Sequence, residues 1–384
     1  MRVAYFSPTY FSDVDISLLM QLQHTVDVDY FVPIWANSQG AAFDVRSYVP
    51  KAGMFEATEA YPELQNIASL IDKVHFYVVN AAPGHMWRLC NLKLYWQFVW
   101  RLRHYDVIHL TEFPKWYLTP LYILRKKIVL TVHDPFPHSD KNSNTRSVLL
   151  ARKWGFRLFK HFIILNQSQR DACIARYALQ EKQVYDSRLS RYDYLQIYTK
   201  SIPVSQPYFL FFGQINEHKG IDMLLPAMLE LHKKYPQYRL ILAGRGEFSM
   251  DIKPYESLPF IEFRHRFIPD WELAELIQGA TCCICPYRDA TQSGVVMSAF
   301  AFNKPVIATN VGGLSEQVIN ERYGMVIPPC DIPALISAMC DVIENPLRWQ
   351  GFAQNIEQDY ATGKQSWKQI AYGLHQIYQQ VMQS

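Results

Sequence analysis

Residues 286–316, PYRDATQSGVVMSAFAFNKPVIATNVGGLSE, gather the types best suited to handling an anionic group. The apolar run 281–286 reads as a buried strand. It ends in a loop of small and polar residues, Thr291, Gln292, Ser293 and Gly294, before Val295 enters an apolar segment. Strand, small polar loop and helix is a layout in which phosphate oxygens can approach the first N–H groups of a helix, where backbone donors lack partners and the dipole is positive. The chain returns as a strand over 304–309. Gly312-Gly313 then opens a second loop with room for backbone beside a ligand, and Glu316 is placed to cap the helix that follows. Two loops therefore face one site.

Such loops need strands that end at a common edge. In the first half, 3–6, 26–32, 74–80, 106–110, 127–132 and 162–166 read as strands, with helices at 16–23, 146–160 and 169–178. A second series starts at Tyr208: strands at 209–212, 240–243, 261–263, 281–286, 305–309 and 324–327, with helices at 220–234, 270–278 and 331–344. Continuous apolar strands belong to parallel sheets covered on both faces. Two such series, joined by the extended Ile202-Pro203-Val204-Ser205-Gln206-Pro207, predict two doubly wound α/β domains. Ligands of these sheets bind beyond the carboxyl ends of the strands, so the expected site lies between the domains. The last segment, 363–382, with Trp367, Ile370, Tyr372 and Tyr378, reads as a helix folding back on the first domain. The expected bounds are 1–204 with 363–384 for the first domain and 205–362 for the second.

At 384 residues with 49% hydrophobic, the chain can fill two cores. Its 38 basic and 35 acidic residues leave a net +3 with no block of like charge, which argues against a nucleic-acid partner. No stretch approaches the roughly 18 uninterrupted apolar residues of a membrane span. The opening MRVAYFSPTY runs into a strand and has no signal-peptide core, so the expected location is the cytosol. Of seven cysteines, Cys282, Cys283 and Cys285 share one apolar strand. They point to alternate faces with no His or Cys partner at zinc spacing, and read as buried thiols.

Four segments occur in order in the second half: Phe211-Phe212-Gly213-Gln214-Ile215 through Lys219-Gly220-Ile221-Asp222, Leu242-Ala243-Gly244-Arg245-Gly246, 286–294, and Pro305-Val306-Ile307-Ala308-Thr309 through Gly312-Gly313-Leu314-Ser315-Glu316. Together they resemble the nucleotide-sugar-binding domain of family-4 glycosyltransferases, retaining enzymes of the GT-B fold. The first half is similar more loosely, through Leu130-Thr131-Val132-His133-Asp134. The resemblance implies two Rossmann-like domains facing a central cleft. It also implies transfer of a sugar from a UDP- or GDP-linked donor to a glycan or lipid-linked acceptor, with retention and without a metal or other cofactor, in synthesis of a bacterial surface polysaccharide. A cytoplasmic location, with the inner membrane face as a second one, goes with that reading.

Two departures from the family pattern stand out. The family usually carries an Arg ahead of the residue matching Lys219, whereas Gln214 stands here, with Arg245 as a candidate substitute. Ala290 and Ser298 occupy the places of a usual pair of glutamates, so carboxylate contacts to donor sugar and ribose are in question. The leaving diphosphate calls for fixed cations and N–H donors, for which Lys219, Gly213, Gln214, Gly244, Arg245 and the 291–295 loop are the candidates, with Glu316 beside them. The plainer alternatives are a solvated lysine before a helix and a helix-start glycine at Gly294. His133, at a strand end, is the candidate for contact with the transferred sugar, against a purely structural histidine. Asp13 and Asp15 follow the first strand, where acceptors bind in such folds, and could equally cap the helix at Ile16.

The stretch 86–103 mixes aromatics and bases, including Trp87, Arg88, Lys93, Trp96, Trp100, Arg101 and Arg103. It fits either a helix lying in a membrane interface or a core helix with surface bases. A nucleotide-sugar epimerase on the same fold and a catalytically inactive partner subunit remain alternatives to the transferase.

Overall fold

The computed structural model describes residues 1–35, 51–83, 88–133, 135–136, 146–180, 182–200 and 206–384. Expectations resting on Met86, Trp87, Asp134 and 202–205 fall outside these. The chain forms two units, Met1–Leu189 with Trp367–Ser384, and Ser190–Ser366.

The first unit is built on an eight-stranded sheet: β1 (Arg2–Phe6), β2 (Asp27–Ile34), β3 (Gly53–Glu56), β4 (His75–Asn80), β5 (Val107–Leu110), β6 (Ile128–Val132), β7 (His161–Ile164) and β8 (Gln183–Asp186). Their spatial order is β3-β4-β2-β1-β5-β6-β7-β8, with every pairing parallel except β3 with β4. Alternation along the strands divides the buried residues between two faces. Ala4, Phe6, Ile108, Leu110, Ile128 and Leu130 share a core with residues of the helix Leu89–Leu102, the 3-10 segment Trp116–Lys127 and the helix Arg146–Leu158. Tyr5, Tyr30, His109 and Thr131 point the other way, toward the helices Ser12–Leu22 and Trp367–Gln383.

The second unit repeats the plan with β9 (Tyr208–Phe212), β10 (Arg239–Gly244), β11 (Ile261–His265), β12 (Cys282–Cys285), β13 (Val306–Thr309) and β14 (Gly324–Ile327), all parallel, in the order β11-β10-β9-β12-β13-β14. β9, YFLFF, is buried throughout, because helices cover both faces of the sheet. Setting aside the antiparallel edge strand β3, the order in each sheet reverses direction once, between β1 and β5 and between β9 and β12. A doubly wound sheet opens its ligand crevice at that switch point.

The units divide at Leu189/Ser190 and Ser366/Trp367, not at 204/205 and 362/363. The reason is local pairing. Arg191 bonds Asp193, Asn303 and Glu357 at 2.8, 3.0 and 3.0 Å, the Tyr192 N–H donates to Met297 O, and Ser190 Oγ donates to Gln365 O. These contacts tie the start of this segment to the second unit. The buried triplet Cys282, Cys283 and Cys285 consists of free thiols, pushed up by burial.

Candidate functional site

In the second unit, the loops leaving β9, β10, β12 and β13 are bound together by backbone. Gly213 N–H donates to Ala243 O at 3.0 Å, and Ile215 N–H to Arg245 O at 2.8 Å. A side chain on Gly244 would stand 1.8 Å from Gly213 O, so the two strands can only run on this closely with glycine there. Across the switch point, Arg288 N–H donates to His218 O, and a Cβ on Gly220 would meet Pro286 O at 1.9 Å. Gly312 is held at φ +49° with its notional Cβ 1.5 Å from Ala290 O, while Gly313 N–H donates to Thr291 O. The sequence reading therefore named loops that meet, and Val295, whose Cγ2 lies 3.1 Å from a notional Gly213 Cβ, comes with them.

Lys219 ends a 3-10 turn, Glu217–Lys219, that Gly220 terminates in the left-handed conformation. Its ammonium sits 3.6 Å from the Tyr287 ring centroid, and burial lowers its pKa, with Cys285 opposing. Among the described residues no carboxylate pairs with it. Other cations nearby are committed: Arg288 bonds Asp222, and Arg266 grips both oxygens of Glu272 at 2.6 and 2.8 Å. Arg245 is exposed, in no ion pair among the described residues, its guanidinium 5.5 Å from the Phe267 ring centroid. With Gly213, Gln214, Gly244 and Phe267 it lines a cavity of about 470 Å³.

Three expectations need correction in physical detail. Ser293 N–H is already taken: it donates to Gln317 Oε1 at 2.8 Å, while Gln317 Nε2 donates back to Ser293 O at 3.3 Å. The donors left for an anion are those further into the helix Gly294–Ala301, which Ser293 does not cap. A Cβ on Gly294 would meet the Tyr192 hydroxyl at 2.8 Å, so bulk there strikes a tyrosine before any ligand. Glu316 is exposed in the first turn of the helix Leu314–Val318 and makes no cap bond. Tyr287, Gln317 and Tyr192 were not foreseen. Ser298, at one of the places where a glutamate is usual, is buried with its hydroxyl on Gly294 O at 2.9 Å.

In the first unit the loops after β1, β5 and β6 surround a cavity of about 220 Å³ lined by Tyr10, Phe11, Glu112, His133 and Arg152 among others. The His133 ring stacks on Phe11 with centroids 3.7 Å apart at 11°. Behind it, His109 Nε2 lies 2.7 Å from Thr131 Oγ1 and Nδ1 lies 2.6 Å from the Tyr378 hydroxyl. Burial, then the nearby His133, lowers His109 to about 3, so its ring is neutral and serves as one donor and one acceptor. Asp13 stays partly exposed in the first turn of its helix. Asp15 is fully buried, accepting from Tyr5 at 2.8 Å and Tyr30 at 3.2 Å. It neither reaches an acceptor nor caps the helix, which has no side-chain cap bond. Burial raises it to about 7, against the lowering effect of Ser7, Tyr5 and Tyr30.

Among the described residues, Asp27, Asp29 and His75 have metal-ligand spacing. They lie at the opposite ends of the strands from the crevice, and Asp29 is occupied by Arg2 and Tyr105.

Comparison with known proteins agrees with this geometry. Residues 206–345 match the family described as Glycosyl transferases group 1, and residues 35–185 match Glycosyltransferase Family 4. A glycogen synthase of Mycobacterium tuberculosis is 27% identical over 173 residues, 44% of this chain and 41% of that one. An alpha-D-kanosaminyltransferase of Streptomyces kanamyceticus is 23% identical over 159 residues, 39% of this chain and 40% of that one. The matched region thus spans less than half of these curated relatives. The same fold is found in sucrose-phosphate synthase from Thermosynechococcus elongatus, with TM-score 0.67 and 19% identity over 100% of this chain and 99% of that one. It recurs in Anabaena HepE in complex with UDP-glucose, with TM-score 0.65 and 15% identity over 100% and 98%. The chain belongs to the family-4 glycosyltransferases of the GT-B fold.

Proposed function

We propose that this chain transfers a glycosyl group, with retention, from a nucleoside-diphosphate sugar to a glycan or lipid-linked acceptor in the synthesis of a bacterial surface polysaccharide. The observation that carries the proposal is Lys219. A half-buried ammonium without a carboxylate partner among the described residues, held above Tyr287 at the carboxyl ends of β9 and β12, is a cation waiting for an anion. Lys219 and the N–H groups of the helix Gly294–Ala301 would take the diphosphate as charge develops on it, with Arg245 as the second cation. The glycine-lined cavity of about 470 Å³ would take the nucleoside. The bound UDP-glucose of the HepE structure supports a donor of this class. The first unit's cavity, with His133 stacked on Phe11, would take the sugar and the acceptor end. The reading needs no metal.

Incubation with radiolabelled nucleotide sugars tests it. Label in an acceptor supports transfer, an altered free nucleotide sugar identifies an epimerase, and binding without turnover identifies an inactive partner. Lys219→Ala should weaken UDP or GDP binding by about 1.5–3 kcal/mol in calorimetry, the loss of a charged hydrogen bond. His133→Ala should lower turnover and leave nucleotide affinity nearly unchanged. Unaltered affinity in Lys219→Ala would remove that residue from the site.

A further inference from the structure

We infer that the first unit docks on a bilayer bearing anionic lipid headgroups, through the outer side of the three elements Leu89–Leu102, Trp116–Lys127 and Arg146–Leu158. The inference goes beyond glycosyl transfer and does not depend on it. All three elements pack on the same face of the first sheet, and neighbours among them touch one another, so their outward sides form one surface.

The surface combines two properties that rarely coincide. Its sequences, LCNLKLYWQFVWRL, WYLTPLYILRKK and RSVLLARKWGFRL, hold nine Lys or Arg and no Asp or Glu, in a chain whose whole net charge is +3. It also leaves large apolar side chains in solvent: Trp96 is 61% exposed, Trp100 59%, Ile123 76% and Trp154 48%, with Leu150 and Trp116 beside them. The inner side of Leu89–Leu102 is complete without the two tryptophans, since Leu94, Tyr95, Phe98, Val99 and Leu102 fill the core. Trp96 and Trp100 therefore serve the outside.

Two of the exposed indoles carry cations: the Arg103 guanidinium lies 3.3 Å from the Trp100 centroid and that of Arg157 lies 5.9 Å from Trp154. Lys93, Arg103, Lys126, Lys153 and Arg157 are exposed and form no ion pair with a described residue. Indole beside guanidinium is the pairing that suits the headgroup level, where the ring enters the acyl boundary and the cation meets phosphate. The chemistry also selects against other occupants. A second copy meeting this face by its own identical face would set the exposed Lys93, Arg125, Lys126, Lys153 and Arg157 against the same bases of its partner, with no acid in these elements to offset them. A nucleic acid would use the bases and tryptophans but leave Ile123 and Leu150 without a partner. Among the described residues no helix is long and apolar enough to cross a membrane, so the contact is interfacial.

The test is co-sedimentation of the full chain with phosphatidylcholine vesicles, with and without an equal share of phosphatidylglycerol. Binding is expected only with phosphatidylglycerol and should fall as salt rises. Replacing Lys93, Arg103, Lys153 and Arg157 together with Gln should reduce partitioning on the order of a hundredfold or more, and Trp96→Ser with Trp100→Ser should do so through the apolar term. UDP binding by the same variants, measured separately, reports that they are folded and keeps this result apart from that of the transferase reading. Failure of the unmodified chain to bind the anionic vesicles, equal binding to both vesicle types, or undiminished binding by both variants would overturn the inference. So would self-association abolished by the tryptophan substitutions, or capture of a single-stranded oligonucleotide in place of vesicles.

Discussion

The two units share a strand order around the switch point yet make opposite use of the edge it creates. In the second unit the crevice is made of backbone: glycines at 213, 220, 244 and 312 bring four loops into contact, and Lys219 lies over a tyrosine. In the first it is made of side chains, with His133 on Phe11 in front and a hydrogen-bonded set of His109, Thr131 and Tyr378 behind. A shared topology fixes where a ligand sits, and the loops decide what it meets. Backbone suits a ligand part that is always the same, such as a diphosphate. Side chains suit one that differs between enzymes.

If that contrast is real, a side chain added at a crevice glycine of the second unit should be ruinous, where one added at a glycine of the same unit away from the crevice is tolerated. Gly312→Val places bulk 1.5 Å from Ala290 O at a left-handed position, and should cost about 4 kcal/mol or more and abolish UDP binding. Gly351→Ala, with nothing within 4 Å of the new Cβ in the helix Pro346–Glu357, serves as its control. A Gly312→Val protein that melts with the unmodified chain would end the backbone argument.

The first unit should instead respond to pH. Burial keeps Asp15 protonated up to about 7, whereas an unfolded carboxyl ionises near 3.8. Between those values the native state holds a proton that the unfolded chain has lost. The associated stability is present below pH 3.8 and disappears as pH rises through about 7, on the order of 4 kcal/mol across the span. Asp15→Asn should flatten that slope in urea denaturation followed across the interval; an unchanged slope would mean that Asp15 is ionised in the native state.

Tyr378→Phe is the finer probe. It strips His109 Nδ1 of its buried partner and should cost about 1–3 kcal/mol, while calorimetric nucleotide affinity in the second unit stays as it was. A matching fall in nucleotide affinity would show that the two sites are not independent.

Sequence periodicity located the strands well where they are buried on both faces, as in β9 and β12, because an uninterrupted apolar run has few other uses. It passed over β3 and β8, whose residues are mostly half-exposed, and the helix Pro346–Glu357, much of which faces solvent. Within the site, Gly213, Gly244 and Gly312 were legible because a glycine in a strand-end loop has a local reason to be there. Gln317 was not, since its partner Ser293 lies 24 residues away. Asp15 misled for the same cause: the tyrosines that satisfy it, Tyr5 and Tyr30, stand on two other elements, and Ser-Asp-Val-Asp read locally looks like a solvent-facing loop.

The helix Trp367–Gln383 belongs to the first unit although the whole of the second lies between it and the rest of that unit in the chain. Tyr378 completes the His109 pair, and Trp367, Leu374 and Val381 bury themselves beside it. During synthesis most of the first unit emerges from the ribosome early but lacks its covering helix until Trp367–Gln383 is made, by which point the second unit is complete. The usual order in which an N-terminal domain matures first is thereby reversed. A nascent chain would carry this sheet face without its covering helix throughout translation of the second unit, which makes the first unit the one that a truncation before Trp367 would strand.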